Sequence, residues 1–373
     1  MKALITGSNG FVAKNLIAHL REIKGIKLYL FSKSESLTVL ETYLKEADFI
    51  FHLAGVNRPK KINEYISGNR DLTNTIVTLL KKNKKKSPIL FSSSVQVSLD
   101  NEYGKSKKEA EKIIQNYSKD TGANHYIYRL PNIFGKWSRP NYNSVIATWC
   151  YNIANDKAIK VTNNDIKLNL VYIDDVIDSF IKKMNIESGN KKSKNKQFYE
   201  VNTVYNKTLG EIKELLDCFK KNRDSLLIPD VGSGFERILY ATYLSFLRTD
   251  NFSYDIKGNE DERGTFYEII KTLDSGQFSL STTAPGVTRG NHYHHTKNEK
   301  FLVVKGEAVL EYRDILTDNK VTYNVSDKKM EVIEMIPGYT HKITNVGNKD
   351  MILFLWANEI YDKKNPDTYF LEV

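Results

Sequence analysis

The segment "YGKSK" sets the phenol of Tyr103 and the ammonium of Lys107 four residues apart. On a helix these positions lie on one face, one turn apart. A lysine ammonium beside a tyrosine favours the phenolate and lowers its pKa. Such a tyrosine can donate a proton to a carbonyl under reduction and be recharged afterwards. Alone, the pair reads most simply as an exposed helix pair. Two neighbouring features change that reading. The strand-like run "PILFSSS" ends in Ser92, Ser93 and Ser94, any of which can hydrogen-bond a carbonyl. In "ITGSNGFVA", Gly7, Asn9, Gly10 and Phe11 form the turn between a first strand and a first helix. Bare backbone there lets a pyrophosphate approach the helix N-terminus.

A second set of reactive residues lies far downstream, in "GVTRGNHYHHTKNEKFLVVKG". His292 and His294 alternate along a strand and so share a face. Glu299 follows a turn, and "PGYTHKITN" brings His341 from a later strand. Three imidazoles and a carboxylate suit zinc or another first-row divalent ion. Any single histidine reads more simply as a satisfied polar core residue, and His295, facing the other way, is read so. For the group that reading is poor, because four of the seven histidines fall between 292 and 341.

These residues need elements to position them. Through about residue 185, short apolar runs such as "KALITG", "KLYLF" and "DFIFHLAG" alternate with helical stretches such as "FVAKNLIAHLREI". That alternation predicts an α/β domain, a Rossmann-type parallel sheet with helices on both faces. Beyond about residue 255 come strands separated by glycine, asparagine and aspartate turns, an all-β pattern of sandwich or barrel type. The expected domains are 1–248 and 249–373.

Composition narrows the function classes. The chain has 373 residues, 40% hydrophobic and 27% charged, as in soluble globular proteins. The N-terminus lacks the apolar stretch of a signal peptide, and no run is long enough to span a membrane. Cys150 and Cys218 are the two cysteines, which fits a reducing cytoplasm better than a disulfide framework. The net charge is +10, and the dense lysine runs, at Lys81 and at Asn190, lack interleaved aromatics. They read as solvated loops or helix ends, so nucleic acid is not an expected partner.

The motifs "TGSNGFVA", "DFIFHLAGVN", "LFSSS", "YGKSK", "RLPNIFGKW" and "LVYIDDV" occur in the order found in extended short-chain dehydrogenases/reductases acting on nucleotide sugars. The resemblance covers about residues 1–245. It implies that Tyr103 is the catalytic acid, Lys107 its ribose-binding partner, and Ser94 the carbonyl hydrogen-bonder. It implies a cofactor lined by Leu53, Ala54 and Gly55, with Asn132 near the sugar nucleotide. The second strand ends with Ser32, Lys33 and Ser34, where NAD-selective folds usually carry an acid. A lysine and hydroxyls suit a 2′-phosphate, so NADPH is the expected cofactor, although Glu35 stands close by.

The C-terminal spacing resembles the cupin family. Gly286, His292, His294, Glu299 and Gly306 fit its first segment; Gly338, His341 and Asn345 fit its second, with Met330 and Ile336 as departures. By this resemblance His292, His294, Glu299 and His341 are metal ligands, zinc being the expected ion. The same residues, with "DERGTFYEI", also resemble nucleotide-sugar 3,5-epimerases, cupins that need no metal. There the position of His292 is the base, and those of Arg289 and Lys300 bind substrate or stabilise an enolate; Arg263, in "DERGTFYEI", is a further substrate-binding candidate. Both roles for His292 stay open, with bound metal favoured.

Both halves together resemble bifunctional capsular-polysaccharide enzymes. The resemblance implies a UDP-linked 2-acetamido-2,6-dideoxy-4-hexulose, epimerised at C3 and then reduced at C4 to UDP-N-acetyl-6-deoxytalosamine, a precursor of N-acetyl-L-fucosamine. The expected protein is a cytoplasmic homodimer with a UDP-linked amino sugar as partner and no membrane insertion. A reductase with a purely structural cupin, and a non-catalytic sugar-nucleotide-binding scaffold, are the alternatives.

Overall fold

The computed structural model describes residues 1–189 and 196–373, so most of the lysine run beginning at Asn190 lies outside the described residues. The chain divides into two compact units, residues 1–216 with 232–248, and 217–231 with 249–373. The division falls within the helix Leu209–Ser225.

In the first unit five parallel strands stand in the order Lys27–Phe31, Lys2–Thr6, Phe49–His52, Ile89–Ser94, His125–Leu130. Their period-2 alternation supplies two cores. Ala3, Ile5, Phe49 and Phe51 face the helices Phe11–Arg21 and Ile173–Ser188. Leu4, Ile50, Ile89 and Phe91 face Leu37–Glu46, Leu72–Lys82 and Glu102–Thr121. Strands buried on both faces read as continuous apolar runs. The order reverses beside the first strand, and in such sheets ligands bind outside the carboxyl ends at that point. Three further strands, Asn132–Phe134, Lys167–Tyr172 and Tyr205–Thr208, form a separate small sheet.

The second unit consists of two antiparallel sheets, one of six strands and one of five. Phe301, Val303 and Leu353 from the first and Leu310, Tyr312 and Ile343 from the second share one apolar core. The segment 217–231 adds to this unit: Leu226 and Ile228 exchange backbone hydrogen bonds of 2.8 Å with Lys271.

Candidate functional site

In the first unit the glycine turn closes at the reversal of strand order. Gly7 has φ +70°, and a Cβ there would lie 2.7 Å from Ala54 Cα. Only glycine lets the two backbones approach this closely. Gly10 donates to the Gly7 carbonyl at 2.8 Å and precedes the helix that starts at Phe11. Ala54 and Gly55 therefore lie against the first turn, and a Cβ on Gly55 would lie 2.9 Å from Lys107 Nζ.

Lys107 is buried on the helix Glu102–Thr121 and donates from Nζ to the Ser92 carbonyl at 3.0 Å. Burial pulls its pKa down to about 8, opposed by the charge of Glu111 one turn on. Glu111 is held by Ser93 Oγ at 2.6 Å and by Arg129 at 2.8 Å. Ser94 ends the strand Ile89–Ser94 near the phenol of Tyr103. The tyrosine's pKa is raised, chiefly by burial, with Ser94 pulling the other way. The lowering of the tyrosine by Lys107 expected from the spacing is thus not what governs it here: the phenol has lost water. The three serines face different groups, with Ser94 near the tyrosine, Ser93 on the carboxylate and the Ser92 carbonyl on the lysine.

Two further residues support this region: Asn69, which lies in none of the motifs, and His52, which lies within "DFIFHLAGVN" but was given no role there. Asn69 lies in a π-helical turn, Ile66–Asp71, and binds both polar backbone atoms of Val56 at 2.9 and 3.0 Å. His52 lies between Thr6, at 2.7 Å, and Thr73, at 2.9 Å. The Thr73 hydroxyl donates to the Asn69 carbonyl, so its oxygen must accept from His52 Nε2, and Nδ1 accepts from Thr6. Burial lowers His52 to about 3, so this chain of donors is neutral. π-turns collect at functional sites, and this one holds the loop after the third strand beside Lys107.

At the end of the second strand Ser32 is buried and Lys33 exposed. The Glu35 carboxylate folds back onto this turn, accepting from the Ser32 N–H at 2.5 Å and the Ser34 hydroxyl at 3.0 Å. Asn132 is exposed at the start of its short strand.

In the second unit His292, His294, Glu299 and His341 converge, each offering a ligand atom, all within 4.8 Å of one another. His292 and His341 face each other across adjacent antiparallel strands. Glu299 comes from the other sheet. His294 lies just past the end of its strand, not on it as simple alternation would have it. A bulge at Gly290/His292, with Asn291 at φ +60°, turns the chain so that it still reaches the cluster. His295 lies outside, edge-on to Tyr293 and Tyr369.

The cluster has the chemistry of a divalent-metal site. Nε2 of His294 and both ring nitrogens of His341 are buried without hydrogen-bond partners. The two Nε2 atoms lie 3.5 and 3.7 Å from Glu299 Oε2, too long for hydrogen bonds and suited to ligands grouped around an ion. Burial raises the Glu299 carboxyl, but the approach of His294 and His341 and the charge of Lys297 hold it well below its ordinary value. Burial lowers His292 to about 4, so this imidazole is neutral. Beside the cluster opens a cavity of about 280 Å³, lined by Arg263, Arg289, His292, Lys297 and Glu299 among others. Arg289 is anchored by Thr283 Oγ1 and the Thr282 carbonyl, both at 3.1 Å.

Lys300 is not brought to this cavity. With Glu299 facing inward, the next residue on the strand faces outward. Lys300 is exposed and pairs with Glu334. The amine that does line the cavity is Lys297, 8% exposed and 3.1 Å from Glu299 Oε1. It sits in a turn, where periodicity gives no indication of direction.

A parallel sheet with a glycine turn at its switch point and a Ser–Tyr–Lys set beside it is a nucleotide-cofactor enzyme's arrangement. Residues 3–198 match the NAD dependent epimerase/dehydratase family, and the chain belongs to it. Residues 259–369 match the polysaccharide biosynthesis C-terminal domain. The chain is 50% identical to UDP-2-acetamido-2,6-beta-L-arabino-hexul-4-ose reductase of Pseudomonas aeruginosa, covering 100% of this chain and 99% of that one. It is similar in structure to the capsular polysaccharide assembling protein CapF of Staphylococcus aureus, with TM-score 0.92, 44% identity and full coverage of both chains. UDP-glucuronic acid 4-epimerase of Bacillus cereus, with TM-score 0.56 and 17% identity over 66% of this chain and 98% of that one, shares the fold of the first unit.

Proposed function

We propose that the chain is a bifunctional enzyme that epimerises C3 of a UDP-linked 2-acetamido-2,6-dideoxy-4-hexulose and reduces its C4 ketone to UDP-N-acetyl-6-deoxytalosamine for surface polysaccharide. The observation that carries the reductase half is the placement of Lys107 Nζ against Gly55 beside the glycine turn, on the helix that also bears Tyr103. The full-length likeness to a hexul-4-ose reductase supports the substrate class. A nicotinamide cofactor would supply the hydride. Tyr103 would give its proton to the C4 oxygen while Ser94 hydrogen-bonds that oxygen. Lys107, reached by Gly55, would hold the ribose and restore the proton. NADPH is the proposed form, with Lys33 meeting the 2′-phosphate.

The second unit is read as a cupin acting before the first. A C3 proton is acidic only while C4 is a ketone, so reduction must come last. His292, His294, Glu299 and His341 would hold one divalent ion, zinc by donor set, which would act as a Lewis acid toward a carbonyl. Arg263 and Arg289 would bind the anionic nucleotide. A metal-free reading has one observation in its favour: His292 is neutral and lines the cavity, as a base would.

The test is to incubate the protein with 4-keto sugar nucleotides and NADPH or NADH in deuterated water. Cofactor oxidation and C3 deuterium uptake are followed together. The reading expects both, with NADPH favoured about ten-fold or more through a charge-assisted phosphate contact. Oxidation without C3 uptake would leave a reductase with a structural second unit. No turnover of either kind would leave a scaffold.

A further inference from the structure

The last residues of the chain fold back on the histidine cluster. Tyr369–Phe370 pairs with the strand carrying His292, His292 opposite Phe370 and Tyr293 opposite Tyr369. Just ahead, Asp367 has φ +34°, uncommon for a residue other than glycine. Its carboxylate accepts three successive backbone N–H groups, His295 at 3.1 Å, Thr296 at 2.8 Å and Lys297 at 2.7 Å, and the Thr296 hydroxyl at 2.9 Å. That fixes the turn between His294 and Glu299.

The Asp367 carbonyl adds a chemical constraint. It lies 2.7 Å from His294 Nδ1. A carbonyl only accepts, so Nδ1 must carry the proton. Nε2 then presents its lone pair, and it is the buried, unpartnered atom that faces Glu299. The tail reaches the other members through neighbours. Thr368 Oγ1 lies 3.4 Å from Lys297 Nζ, which pairs with Glu299. Thr340, beside His341, donates to the Leu371 carbonyl. Leu371 donates to the Asn291 carbonyl, beside His292, at 3.0 Å.

We infer that the C-terminal segment 366–373 is a clasp that preorganises the cluster for a divalent cation, with Asp367 as the positioning residue that sets the tautomer and direction of His294. This rests on the reading of the cluster as a metal site. Partners that orient a ligating histidine typically contribute 10–100-fold in metal affinity.

The experiment uses the full chain grown with zinc. Zinc content is measured by elemental analysis and affinity by competition with a chromophoric chelator. Asp367→Ala should bind zinc about 10–100-fold more weakly, and Asp367→Asn, which keeps one acceptor oxygen, should recover part of that. In cobalt-loaded protein the visible bands of Asp367→Ala should shift as the turn beside His294, no longer held by the carboxylate, moves. Thr340→Val loosens the tail without touching a ligand and should weaken zinc binding in the same direction; it serves where Asp367→Ala does not fold. The thermal unfolding transition of the second unit reports that each variant is folded. Wild-type protein without metal would overturn the metal reading and the clasp with it. Metal-loaded wild type with folded variants of unchanged affinity would overturn the clasp alone.

Discussion

Lys107 is 3% exposed and carries a charge that the proposed reduction requires. Loss of water lowers its pKa to about 8 from 10.5, with Glu111 opposing. Between those two values the unfolded chain holds a proton that the folded chain has released, so this residue makes stability rise with pH across that window. Below about pH 8 the folded protein bears the whole cost, roughly 3–4 kcal/mol at ~1.4 kcal/mol per tenfold change in proton affinity. Lys107→Met should therefore raise the melting temperature by several degrees at pH 7, with the gain fading above pH 10.5, while reductase activity is lost. Thermal scans at the two pH values check this; a melting temperature lowered by the same amount at both would refute it. The Tyr103–Lys107 pair was legible in the sequence because the helix period sets both residues on one face; the choice of Ser94 among the three serines came from the family resemblance. Glu111 was equally within reach, one turn beyond Lys107. Asn69 was not, because a π-turn breaks the helical period that would have aimed it.

At the scale of elements, the metal-type cluster depends on one irregularity. His292 and His341 meet by plain antiparallel register, but the bulge at Gly290/His292 re-aims the chain toward His294. Gly290 has φ +107°, and a Cβ there would sit 2.5 Å from the His341 carbonyl oxygen. Gly290→Ala should thus lose about 1–3 kcal/mol from backbone strain alone, and more from the clash, with His341 pushed out of line. The expected result is lower zinc content and a lower unfolding temperature for the second unit. Unchanged zinc content in folded Gly290→Ala would show that the bulge does not set the ligand geometry. The four residues of the cluster could be read from spacing; the bulge could not, since it is defined by the partner strand. Lys300 shows the opposite case. Period-2 alternation from an inward Glu299 already directs it to solvent, and the family likeness overrode that local rule.

For the whole molecule, two chemistries on one chain make a statement about sequence of events. If C3 exchange belongs to the second unit and C4 reduction to the first, each can be removed alone. Tyr103→Phe keeps the ring packed beside Tyr65, at 5.9 Å between centroids, and removes only the phenol hydroxyl. NADPH oxidation should fall by at least the 10²–10⁴-fold typical of a lost general acid, while C3 deuterium uptake continues. A chelator should do the reverse, stopping C3 uptake and leaving Tyr103 and its cofactor site intact. Chelated protein should still oxidise NADPH when supplied with substrate already epimerised at C3. These two treatments together distinguish the metal-assisted reading from the one in which His292 is a free base. In the latter, chelation changes neither rate, and His292→Ala stops C3 uptake without loss of metal. Loss of both activities on either treatment, in folded protein, would mean that the two steps share one site and that the division of labour is wrong.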